Sequence, residues 1–140
     1  MNTKLKQSVV KAGKGIWSSI PILLGVILLV SLISAIIPTS AYSFLFKNNY
    51  LVDSFIGSSL GSVLAGNPIT SYIIGGELLK QGVSLLAVTA FIVAWVTVGL
   101  VQLPAESMLL GKKFAIIRNI TAFIFSIIVA VVTVVVAGLI

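Results

Sequence analysis

Residues 61–82 read GSVLAGNPITSYIIGGELLKQG, and the fold turns on whether this stretch is a connecting loop or the working part of the chain. A helix facing lipid gains nothing from Asn67-Pro68, the Gly75-Gly76 pair, Glu77 or Lys80. Proline removes a backbone donor and disfavours helix in the residue before it, so regular structure is expected to break at Gly66-Asn67-Pro68. Outward from that break the chain is strongly apolar. Its 140 residues are 59% hydrophobic and 9% charged, with a mean hydropathy of +1.22. Soluble domains carry roughly 25% charged residues. The composition predicts an all-α integral membrane protein, a single membrane domain over residues 1–140 with the lipid bilayer as its first partner.

The net charge of +6 does not point to nucleic acid. Such binders gather phosphate-contacting groups on a wet surface, whereas here the basic residues sit at the ends of apolar runs, where topology signals belong. Cysteine and histidine are both absent, which removes disulfides, thiolate chemistry, haem ligation and ordinary zinc sites. Asp53, Glu77 and Glu106 are the only acids and form no ligand cluster, so no metal, cofactor or catalytic residue is expected. No serine is paired with an obvious base, and an enzyme is not expected. The phosphate-binding loop GxxxxGK[ST] is missing, which argues against ATP-driven transport by this chain.

Residues 1–15 carry Lys4, Lys6, Lys11 and Lys14 without an acid and are expected to form a basic, partly amphipathic cytoplasmic flank at the headgroups. Residues 16–37, about 33 Å of helix at 1.5 Å per residue, suffice to span and end at Pro38. A secretory signal with cleavage near PTSAYS is the rival, but signal cores run to only about 15 residues. Residues 83–103 and 114–140 read as two further transmembrane helices. Residues 50–82 are divided by the break into two arms, Tyr50 to Gly66 at the short limit for crossing and Ser71 to Leu79 well below it.

Charge orders these pieces. If residues 50–66 crossed fully, Lys112, Lys113 and Arg118 would lie opposite the basic amino terminus, against the positive-inside rule. If residues 50–82 instead form a re-entrant hairpin entering from outside, seven of the nine basic residues face the cytoplasm. The expected fold is therefore three full transmembrane helices plus a re-entrant broken-helix hairpin, in the cytoplasmic membrane with the amino terminus inside. Four full transmembrane helices are the alternative.

Broken helices are how many secondary transporters build a substrate site. On that reading Gly66, Asn67 and Pro68 face a protected cavity, and Thr70 and Ser71 cap the second half-helix with its positive end aimed at the site. Glu77 is either a pathway carboxylate or half of an interfacial pair with Lys80, three positions on. Asp53 is expected at the interface. Gln102 and Glu106, four apart around Pro104, face a cytoplasmic vestibule or simply the solvated end of a helix. Gly57, Gly61 and Ala65, with Ser54, Ser58 and Ser62 beside them, form a small-residue stripe of the kind that packs helices closely in lipid. Trp17, Trp95 and the tyrosines suit interfacial anchoring or packing.

The run GNPITSYIIGGELLKQG, followed by AVTAFIVAW and LPAES, resembles the predicted permeases of the YraQ/ArsP type over roughly residues 50–118. The resemblance implies a transporter with paired structural halves whose pathway is lined at Gly66, Asn67, Pro68 and Pro104. The chain departs from the pattern in being a single half, which implies a homodimer or higher homo-oligomer, parallel or antiparallel. It also lacks the cysteines expected for trivalent arsenic. The expected function is a permease-like transporter subunit moving a small solute or ion, and the alternative is a non-transporting scaffold or accessory subunit.

Overall fold

The computed structural model describes residues 3–36, 38–47, 49–64 and 67–138, and among them there is helix and no strand. The helices are α1 (Thr3–Ile36), α2 (Thr39–Leu45), α3 (Tyr50–Val63), α4 (Pro68–Lys80), α5 (Leu85–Thr97), α6 (Leu103–Leu110) and α7 (Lys112–Ala137). The chain divides into two units, 1–36 and 37–140. Over Lys4–Leu29 and Lys112–Ala137 it is long and apolar enough to cross a membrane, by length and composition.

The first unit is α1 alone. Its basic flank and apolar run form one continuous helix that passes through Pro21 and ends two residues before Pro38. The basic flank expected over residues 1–15 is thus helical and continuous with the apolar run that follows it. No proline lies between Lys4 and Ile16, and Ser8 and Ser18 return their hydroxyls to the carbonyls of Lys4 and Gly15.

The second unit is organised on α5, which packs against α3, α4 and α7. Its Leu86, Ala87, Val88, Ala90, Phe91, Ala94 and Trp95 are buried, on more than one face. Along α3 the buried residues are Asp53, Ser54, Gly57, Ser58, Gly61 and Ser62, a single stripe at three- and four-residue spacing. A Cβ on Gly57 would collide with the carbonyl of Ala87, and one on Gly61 with the carbonyl of Phe91. The two helices therefore touch backbone to backbone, the close approach that small residues permit. Because 57 faces 87 and 61 faces 91, α3 and α5 run in the same direction.

Between them α4 runs back. Gly75 lies against Val88 and Ile92, and Leu78 packs on the cluster of Phe46, Val83, Ala87 and Val88. Asn67 starts α4 by accepting the Ile69 N–H at 2.9 Å. Its end is a Schellman cap: the Gly82 N–H donates to Leu79 and the Val83 N–H to Leu78, both at 3.0 Å. Gly82, at φ +85°, occupies the left-handed position where a side chain would be strained. Helices α3 and α4 thus run in opposite directions, each packed on α5 rather than on the other, with the start of α3 and the end of α4 beside the start of α5.

Helix α7 closes the unit antiparallel to α5. Ala130 packs with Leu86 and Ala90, while Asn119 reaches Gly99. Its inward residues Ala115, Asn119, Ser126 and Ala130 are small or polar, and Ser126 shares a 2.9 Å hydrogen bond with Ser58 of α3.

The single helix expected over residues 83–103 is not found. Ser84 caps the helix by accepting the Ala87 N–H, but the helix ends at Thr97 and Val98 is extended at φ −96°, ψ 121°. Two short turns follow, Gln102 to Gly99 and Leu103 to Leu100, before α6 restarts with proline in its first turn. Proline suits that first turn, where its missing N–H has no helical partner in any case, and the Asn119 side chain supplies an acceptor for the Gly99 N–H where the α5 ladder stops. The helix expected from Phe114 starts two residues earlier, at Lys112, and is described as far as Ala137.

Candidate functional site

The breaks after α3 and after α5 lie side by side, as the parallel packing of those helices requires. Between them is a cavity of about 190 Å³, walled by Ser62, Leu64 and Pro68 from the first break, by Trp95 and the segment Val96 to Gln102 from the second, and by Arg118 of α7. At about 30 Å³ per water this is room for roughly six waters or a solute group of that size.

One wall is held by a charged network. Arg118 donates from Nε to Glu106 Oε2 at 3.0 Å, from one terminal nitrogen to Glu106 Oε1, and from the other to the Thr97 carbonyl at 3.2 Å. This bidentate geometry is the strong form of the arginine–carboxylate pair. Asn119 donates to the second Glu106 oxygen at 3.2 Å and to the Ala115 carbonyl at 2.9 Å, while its own oxygen takes the Gly99 N–H at 2.8 Å. Three elements thereby tie the end of α5, the first turn of α6 and α7 together. Arg118 lines the cavity, and Glu106 is not among the lining residues.

The residues singled out from the sequence separate into those at this cavity and those away from it. Pro68 and Gln102 line it. Asn67 serves as the cap of α4, displacing the expected Thr70 and Ser71: Thr70 gives its N–H to the Asn67 carbonyl, and the buried Ser71 hydroxyl turns back to the Pro68 carbonyl at 2.7 Å. Pro104 starts α6, exposed and outside the lining. Gly66 and Ala65 lie outside the described residues. Glu77 sits nine residues beyond Pro68, about 14 Å along α4, where it pairs with Lys80 at 3.4 Å and accepts from Gln81 at 3.1 Å. Glu106 and Gln102 do not share one vestibule, since Glu106 faces α7.

Arg118 and Asp53 are found in settings that the sequence reading did not give them. Arg118, read as a topology charge, also stands on the wall of the cavity; an arginine inside an apolar run, followed by Asn119, is the signal that would have marked it. Asp53, expected at the interface, is buried at 1% exposure. Its Oδ1 accepts the Lys47 N–H at 3.0 Å, and its Oδ2 has no partner among the described residues. Trp95, read as an anchoring or packing residue, is buried and walls the cavity, as the packing alternative has it.

A second, apolar cleft of about 380 Å³ opens next to the cavity, walled by Phe55, Ile116, Ile120, Phe123 and Ile124 among others. Ser62, Val98 and Leu100 line both spaces. Among the described residues no group of three or more acids, histidines or cysteines is placed to hold a metal ion. Comparison of the chain with protein-family models, with curated proteins and with solved structures finds no match.

Proposed function

We propose that the chain is a permease-like subunit of a membrane transporter, which moves a small solute or ion through the cavity between its two helix breaks as a homo-oligomer. The observation that carries this reading is the convergence of both breaks on one cavity, with Arg118 on its wall. Interrupted backbone at membrane depth is tolerated where protein or a water-filled space satisfies it, and paired interruptions are the usual construction of a midplane substrate site. The likeness to permeases of the YraQ/ArsP type agrees with it.

Three crossings with a re-entrant hairpin fit the helices best, the middle crossing being made by α5 and α6 in succession across their break rather than by one helix. Helices α3 and α4 have 14 and 13 residues, about 20 Å each against a hydrocarbon core of about 30 Å. In the four-span alternative residues 50–66 and 83–103 are successive crossings and must run in opposite directions, whereas α3 and α5 run the same way. With the amino terminus in the cytoplasm, the hairpin enters the cytoplasmic membrane from outside and its tip reaches the level of Arg118. That level is six residues, about 9 Å, in from Lys112. The scaffold reading draws on the Glu77–Lys80 pair and the Asn67 cap, which are structural devices.

The test is flux in proteoliposomes across a panel of labelled anions, cations and neutral solutes. A Cβ at Gly99 already meets Gln102 at 3.1 Å and Arg118 at 3.5 Å, so Gly99→Leu fills the cavity. Flux of one solute class, lost in Gly99→Leu while the protein stays folded, supports a transporter. Absence of flux for every class, or equal flux in the filled variant, leaves the scaffold.

A further inference from the structure

We infer that the cavity receives the anionic oxygen head of a small organic acid, whose apolar body lies in the adjoining cleft. This deepens the transporter reading and rests on it for its role, but the binding itself is measurable without transport.

The lining is rich in unspent donors. The N–H groups of Leu100 and Val101 have no acceptor among the described residues, because the turn bonds of this segment use only the N–H groups of Gln102 and Leu103, and Gly99 is taken by Asn119. Gln102 makes no capping bond with its side chain and lies on the wall. Arg118, after its bonds to Glu106 and Thr97, still has guanidinium N–H groups to spare. Leu100 and Val101 are exposed, so these N–H groups are open to an oxygen acceptor that enters the space.

Charge selects among acceptors. Two helix C-termini (α3, α5) and two N-termini (α4, α6) meet at the breaks, so their dipole ends oppose one another in sign. What remains is Arg118, the one ionisable side chain in the lining. Its partner Glu106 is not among the lining residues, so an incoming carboxylate meets the guanidinium in the cavity and shares it with Glu106.

The organic part follows from the cleft. Ser62, Val98 and Leu100 border both spaces, so a head held against Leu100 and Gln102 has its substituent directed past Val98 toward Phe55 and Phe123. A bare inorganic ion would leave that apolar space unused.

The experiment uses the full chain in detergent with Trp17→Phe. This leaves Trp95, which lines the cavity, as the sole tryptophan. Its fluorescence is titrated with acetate, butanoate, hexanoate, inorganic phosphate, hexanol and hexylammonium. The expected result is a saturable change with hexanoate, tightening from acetate to hexanoate by up to about fourfold per methylene buried, and no saturable change with hexylammonium or hexanol. Gln102→Ala is expected to weaken hexanoate roughly tenfold through loss of one charge-assisted bond, while Glu77→Gln on α4 leaves it unchanged. Hexylammonium binding as well as hexanoate, phosphate or acetate matching hexanoate, or an unaltered titration in Gln102→Ala would overturn the inference. Solute flux without hexanoate binding would sink this inference and leave the transporter standing. Hexanoate binding without flux of any solute would do the reverse.

Discussion

Adding one methyl group to the helix contact at Gly57 or Gly61 is expected to destabilise the protein, although alanine is the better helix former. In a free helix Gly→Ala gains about 1 kcal/mol. Gly76 is such a position, since a Cβ there meets nothing within 4 Å, and Gly76→Ala is expected to stabilise by about 0.5–1 kcal/mol. At Gly57 and Gly61 the new Cβ runs into the carbonyls of Ala87 and Phe91. Neither oxygen belongs to a side chain that can rotate away, so α3 and α5 must separate along their shared stripe. Overpacking of this kind costs about 1–3 kcal/mol; against backbone that cannot rotate away the upper part of that range applies, so set against the gain of about 1 kcal/mol the net loss is up to about 2 kcal/mol per site. Once the helices have parted for one methyl the second is easier to admit, so the double variant should lose less than the sum. Gly75→Ala is the graded case, because its nearest obstacle is the flexible tip of Ile92 at 2.9 Å. Unfolding in mixed micelles, followed by circular dichroism as denaturing detergent is added, measures all five variants on one scale. Gly57→Ala and Gly61→Ala as stable as Gly76→Ala would refute the backbone contact between α3 and α5.

Asn119→Ala strands the Gly99 N–H and removes one support of Glu106, and a loss of about 1–3 kcal/mol is expected in the same unfolding measurement. Glu106→Gln deprives Arg118 of its counter-charge; at 35% exposure of the arginine side chain the cost should fall below the ~3–5 kcal/mol of a fully buried pair, and Glu106→Gln with Arg118→Gln together should recover part of it. Glu77→Gln should change stability by less than about 1 kcal/mol, because Lys80 is 76% exposed and the pair is of the surface kind.

The sequence foretold this architecture unevenly, for physical reasons visible in particular residues. The break at Asn67-Pro68 was legible because proline acts locally, and the Gly57/Gly61 stripe because close packing in lipid demands small residues at that spacing. The break after Thr97 was not. Hydropathy continues unbroken through Val98, Leu100 and Val101, and what permits the interruption is a side chain twenty positions away, Asn119, accepting the Gly99 N–H. The same distance hid the site's cation. Arg118 reads as a flank charge when judged by its neighbours in sequence, and becomes a cavity wall only once α6 brings Glu106 beside it. Glu77 drew attention for the opposite reason: an acid in a greasy segment looks costly, yet Lys80 and Gln81 satisfy it one turn away.

If the two helix breaks enclose a water-filled space inside a membrane, a reagent dissolved in water should reach it. Single cysteines placed in this cysteine-free chain at Gln102, Glu77, Lys113 and, as a lipid-facing control on α7, Ile128 would be exposed to a membrane-impermeant thiol reagent in sealed vesicles of known orientation. Labelling is expected at 102 and not at 128, with 77 reached only from outside and 113 only from inside. A position 102 that is silent from both faces, while 77 and 113 label normally, would contradict it: the breaks would then be packed turns with nothing passing between them.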